Sequence, residues 1–204
     1  MMTTITDETA LWSRARSGDG RAFAALFDAH RDRAFRHALR LVASAHDAED
    51  VVAAAFLELW RKRDGVPIVD GSVLPWLLVT ITNLARNSGR GLRRYRAAID
   101  RLPRSHDRAD PAETAEERIA REQLLGAVRA LGEPDAALLL LTAIEGFTPT
   151  EAAAAVGISP GAARVRLHRS RKRLRGRLGT PLDLLDPIDP ADAADPTLQE
   201  GAAR

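Results

Sequence analysis

The chain has 204 residues, no cysteine and a formal charge of +2. Without thiols, disulfides and thiolate-ligated zinc or iron–sulfur sites are excluded, and the composition suits a reducing cytosol. No segment approaches the roughly 18 uninterrupted apolar residues of a membrane span, and residues 1–8 lack the basic-then-apolar pattern of a leader. A soluble, cytoplasmic protein with no membrane partner is therefore expected. The small net charge hides an uneven distribution: from Leu178 to Arg204 six acids face one arginine, leaving a net positive body. Lys62 and Lys172 are the only lysines. Arginine forks match phosphates and guanine edges, which favours a nucleic-acid partner.

Helical periodicity dominates, and no strand-like alternation is found. An all-α fold is expected, with two small helical domains joined by a flexible linker. A first helix is expected over 7–17, ending at Gly18. A second follows over 19–42, with Phe23, Leu26, Phe27, His30, Ala34, Phe35, Ala38, Leu41 and Val42 at three- and four-residue steps. A third is expected over 47–63, where Val52, Ala55, Phe56, Leu59 and Trp60 repeat the stripe. Its acidic start (Asp47, Glu49, Asp50) and basic end (Arg61, Lys62, Arg63) complement the helix dipole. After a loop holding Gly65, Pro67 and Gly71, a fourth helix carries Trp76, Leu77, Ile81 and Leu84 toward Tyr95.

These four helices place the first domain at 5–98. Residues 99–111, polar and containing Pro103 and Pro111, read as a linker. The second domain is expected at 112–178, a helix-turn-helix (winged-helix-like) four-helix unit, and 179–204 as an acidic disordered tail.

The helix-turn-helix is the sharpest local signal. Thr148 and Glu151 have the Thr-x-x-Glu spacing of a capping box, with Pro149 at the first helical position. Gly157 supplies a residue able to take positive φ, and Ser159-Pro160 caps and opens the next helix. In that helix Ala163, Leu167, Ser170, Leu174 and Leu178 share an inward stripe. From Ser159 to Leu178 there are seven arginines, one lysine and no acid. A basic face can be merely solvated. Directly after a helix-turn-helix, with no carboxylate to balance it, it points to DNA phosphates and base edges.

Four segments carry a family likeness: 18–30 (GDGRAFAALFDAH), 47–60 (DAEDVVAAAFLELW), 75–87 (PWLLVTITNLARN) and 157–175 (GISPGAARVRLHRSRKRLR). Together they resemble the extracytoplasmic-function class of RNA polymerase sigma factors, built from a region 2 and a region 4 domain. The resemblance implies a non-enzymatic protein without cofactor or metal. Its partners would be core RNA polymerase, through the β′ clamp helices and the β subunit, promoter DNA, and an anti-sigma factor. It would direct sequence-specific promoter recognition and transcription initiation.

By the same resemblance, Asp47, Glu49, Asp50, Phe56, Leu59 and Trp60 belong to the segment that binds core polymerase, as contacts or as supports beneath them. Asn83 and Asn87, four apart on one helix face, would read unpaired bases of the minus-10 element, with Arg86, Arg90, Arg93 and Arg94 holding the backbone. Ser159, Arg164, Arg166, His168, Arg169 and Lys172 would face the minus-35 element. Two departures stand out: Val165 replaces a small polar residue common in the family, and Ala53-Ala54 replace a polar-acidic pair. His46, Asp47, Glu49 and Asp50 lack the spacing of a metal-ligand set. The competing reading is a one-component helix-turn-helix regulator that binds an operator; a third is a polymerase-binding adaptor without promoter specificity.

Overall fold

A computed structural model describes residues 5–42, 44–98 and 114–178. The linker at 99–111 and the tail at 179–204 lie outside the described residues. Eight α-helices follow one another: α1 Ile5–Arg16, α2 Gly20–Leu39, α3 Ala45–Arg61, α4 Leu74–Ala98, α5 Ala115–Arg129, α6 Asp135–Ala143, α7 Pro149–Val156 and α8 Pro160–Leu178. A 3₁₀ turn, Arg63–Gly65, follows α3, and one isolated bridge joins Val69 to Ser72. No strand occurs among the described residues.

Local chemistry sets the boundaries. Asp19 caps α2 by accepting from the amides of Arg21 and Ala22 at 2.9 and 3.1 Å, while Arg14 of α1 grips the same carboxylate. One side chain thus fixes the turn between two helices. α3 begins two residues before the expected Asp47, because Ser44 is the cap: its hydroxyl accepts from the Asp47 amide at 3.0 Å. α2 ends at Leu39, short of Val42, because the amides of Leu41 and Val42 both turn back to the Ala38 carbonyl.

In the first half α2, α3 and α4 pack on one another and α1 packs on α2. Trp12, Leu26, Phe56, Leu59, Leu77, Leu78 and Ile81 are buried there. Phe23 and Phe27 meet Phe56 and Trp60 edge-on, with centroids 4.7 to 6.4 Å apart, locking α2 against α3. The loop before α4 is held by Glu8, whose Oε1 receives the Ser72 hydroxyl, the Val73 amide and Nε2 of His30, each at 2.9 Å. His30, placed by periodicity in an apolar stripe, is a buried polar link.

The second half is organised around α6. Every residue from Asp135 to Thr142 is buried. A helix apolar on all sides must be covered on all sides, and α6 is covered by α7 and α8 on its own side and by α4 of the first half. The apolar core is consequently continuous between the halves.

Candidate nucleic-acid interface

The turn between α7 and α8 is built as its residue types require. Thr148 Oγ1 accepts from the Glu151 amide at 3.2 Å and the Glu151 carboxylate accepts from the Thr148 amide at 2.6 Å. Both partners of the capping box are satisfied. Gly157 has φ +75° and ψ 35°, the left-handed conformation that a side chain resists. Ser159 then caps α8, its hydroxyl accepting from the Ala162 amide at 3.2 Å. Ala163, Leu167, Ser170 and Leu174 are buried, so α8 is seated by one stripe and presents the rest.

On the presented side Ser159, Arg164, His168, Arg169 and Lys172 are exposed, with Val165, 50% exposed, among them. Arg166 differs. Its Nη1 lies 2.9 Å from Oδ1 of the buried Asp135, and Arg173 approaches the other oxygen at 3.6 Å. Arg166 therefore ties α8 to the start of α6 and is not simply one of the outward cations.

The α4 residues divide more sharply. Asn87 is exposed, while Asn83 is half-buried and its Oδ1 is enclosed without a hydrogen-bond partner. Arg86 is buried: its guanidinium donates to the Leu131 carbonyl, two residues past the end of α5, and sits 3.8 Å from Glu133. In this packed arrangement the second half covers Arg86, so its guanidinium does not face outward as a backbone-holding cation would. The side chains of Arg90, Arg93 and Arg94 lie outside the described residues.

On α3, Asp47 is half-buried and Glu49 and Asp50 are exposed. Phe56 and Leu59 are buried and Trp60 is half-buried, packed against Phe23 and beneath the Arg63 guanidinium at 4.7 Å. Of the two placements expected for them, contact or support, Phe56 and Leu59 take the buried one. The outward stripe instead runs through Asp50, Ala53 and Leu57, the last 59% exposed. Leu57 escapes periodicity because an apolar residue off the core stripe looks incidental; its signal is the seven-residue step from Asp50.

Sequence reasoning also missed a charged junction. Arg33 and His37 of α2 and Arg40 at its C-cap all converge on Glu145, whose side chain is 5% exposed. Arg33 Nε meets Oε2 at 3.0 Å and its Nη2 the Glu145 main-chain carbonyl at 2.8 Å, with the guanidinium 5.2 Å over the Phe147 ring. His37 Nδ1 meets Oε1 at 2.9 Å, and its Nε2 meets Thr82 Oγ1 of α4 at 3.0 Å. Arg40 Nη1 reaches Oε1 at 3.0 Å. Burial pushes the carboxyl upward, but the hydrogen bonds from His37 and Arg33 outweigh it and hold the pKa at about 2.

The sequence matches the family models for Sigma-70 region 2 over residues 26–107 and Sigma-70 region 4 over residues 121–174. It is 34% identical over 169 residues to RNA polymerase sigma factor CarQ of Myxococcus xanthus, covering 81% of this chain and 94% of CarQ. It is 33% identical over 154 residues to the ECF RNA polymerase sigma factor SigE of Mycolicibacterium smegmatis, covering 73% of this chain and 58% of SigE. The chain belongs to the extracytoplasmic-function class of RNA polymerase sigma factors.

The solved structure of CnrH in complex with the cytosolic domain of CnrY is similar to this sigma factor at 25% identity, with a TM-score of 0.55, covering 85% of this chain and 97% of that one. Within the sigma factor, Arg33, His37, Arg40 and Arg86 fall in the region 2 match and Leu131, Glu133 and Glu145 in the region 4 match. The Glu145 and Arg86 contacts therefore fasten region 2 to region 4. Among the described residues no helix is long and apolar enough to cross a membrane.

Proposed function

We propose that the sigma factor divides its work between units at 5–98 and 112–178. The outward stripe of α3, with Asp47, Glu49 and Asp50 at its start and Phe56, Leu59 and Trp60 beneath, serves the β′ clamp helices of core polymerase. Asn83 and Asn87 read the minus-10 element, with Arg90, Arg93 and Arg94 on the backbone. Ser159, Arg164, His168, Arg169 and Lys172 face the minus-35 element. Binding energy rather than covalent chemistry supports strand opening, so no catalytic step is assigned. The protein acts in the cytoplasm, and an anti-sigma factor, as CnrY is paired with CnrH in the solved complex, is a fitting regulator.

The observation that carries this reading is the exposed, acid-free side of α8, positioned by a complete capping box and a left-handed Gly157. Exposed arginines at the start of a helix that follows such a turn can enter a major groove. Because Arg86 is covered by the second half, reading of the minus-10 element along α4 requires region 4 to swing away from it. The packed state is the resting one. Reconstitution with core polymerase on a promoter library tests the reading. Specific transcript starts are expected; operator-like binding without polymerase, or no core binding, would overturn it.

A further inference from the structure

Beside the Glu145 junction lies an apolar groove of about 340 Å³. Leu39, the last residue of α2, and Arg40, its C-cap, form one lip, and Leu124, Leu140, Ile144 and Leu174 form the floor and the other. Leu39, Leu124 and Ile144 are each more than a third exposed. Apolar surface gathered into a concavity marks a binding site more often than scattered exposure does. The groove also spans the two regions, since α2 contributes one wall and α5, α6 and α8 the rest.

Arg40 gives the groove a sign. One carboxylate, Glu145, serves two guanidiniums and an imidazole, and the Arg40 side chain is 47% exposed at the rim. A ligand that is aliphatic with carboxylates interspersed matches both properties. Outside the described residues, one segment has that chemistry. Residues 181–189 read PLDLLDPID: Leu182, Leu184, Leu185 and Ile188 alternate with Asp183, Asp186 and Asp189. Residues 99–113, by contrast, offer only Ile99 and Leu102 as large aliphatics.

The chain path favours the same occupant. Leu174 lines the groove and α8 ends at Leu178, about 6 Å further along at 1.5 Å per residue. Gly179 follows at a position suited to chain reversal, and the next three residues can span about 10 Å. Leu182 is therefore within reach of the groove that Leu174 floors. Pro181 and Pro187 limit the freedom the segment would lose on seating.

We propose that residues 181–189 seat in this groove as an internal ligand, with leucines against Leu124, Leu140 and Ile144 and a carboxylate against Arg40. The tail then bridges α2 of region 2 to region 4 and acts as a brake on their separation. This goes beyond promoter recognition, and its test needs neither polymerase nor DNA, so it stands or falls apart from the functional reading.

The absence of cysteine allows a direct measurement on the full chain. Ile144→Cys and Leu185→Cys together place a reporter pair across the groove, and the rate of disulfide formation under mild oxidation is followed. The same pair is measured with Leu182→Asp and Leu184→Asp added, which keeps the loop length but removes the apolar ligand. Circular dichroism checks that both proteins keep their helices. An intramolecular disulfide forming at least tenfold faster without the Asp substitutions is expected. Equal rates would overturn the proposal and leave the groove to an external partner. Disulfide-linked dimers would overturn it in favour of a second copy.

Discussion

Nδ1 of His37 lies 2.9 Å from Oε1 of Glu145, joining α2 to the segment just before the helix-turn-helix across 108 residues of sequence. Removal of the carboxylate leaves Arg33, His37 and Arg40 crowded without an acid. Breaking a buried ionic group from one side costs about 3 kcal/mol. Glu145→Ala is expected to lower the stability of the packed state by that order in urea unfolding. It is also expected to lengthen the mean distance between fluorophores placed on regions 2 and 4.

The same carboxylate gives a pH dependence with a definite sign. Its pKa is held at about 2 against an ordinary 4.5, so its stabilisation is fully present above pH 4.5 and is lost as pH falls toward 2. The contribution is on the order of 3 kcal/mol. Between those pH values the packed state of the wild type is expected to weaken more steeply than that of Glu145→Gln. Parallel profiles in an acid titration followed by interregion fluorescence transfer would contradict the assignment.

The turn of the helix-turn-helix is testable by stability alone. Gly157→Ala forces a side chain into φ +75° and should cost more than about 1 kcal/mol. Thr148→Ala removes one half of the capping box, for about 1 kcal/mol. Both are read as shifts in the unfolding midpoint at unchanged slope.

Arg164 and Arg166 are two residues apart yet should behave differently. Arg164 is exposed, so Arg164→Ala is expected to leave stability unchanged while weakening minus-35 binding by about 1–3 kcal/mol if it meets a base edge. A uniform loss across sequences with a shallower salt dependence would mark it instead as a phosphate contact. Arg166→Ala removes the 2.9 Å partner of Asp135 and should cost about 1 kcal/mol of stability in the absence of DNA.

On α3 the contrast is between Leu57 and Leu59. Leu59 is fully buried, and Leu59→Ala should cost about 2–5 kcal/mol of stability. Leu57 faces outward, so Leu57→Asp is expected to keep the unfolding midpoint and to reduce core polymerase binding at least tenfold in a pull-down titration.

Sequence by itself determined the helices and the turn of the DNA-binding unit. Thr148, Glu151, Gly157 and Ser159 act within four residues of themselves, so their spacing carries their geometry. The buried stripe of α8 was legible for the same reason, because 3.6-residue periodicity is a local property. What tertiary structure decided is which charged side chains remain outside. Arg33, His37 and Arg40 carried no signal in the sequence, and only the fold brings Glu145 against them. Arg86 read as a phosphate contact until the Leu131 carbonyl covers it, and Arg166 as an outward cation until Asp135 pairs with it. The reason is physical: burial of a charge depends on a partner 31 to 112 residues away, and the spacing of residues along one helix holds no information about it.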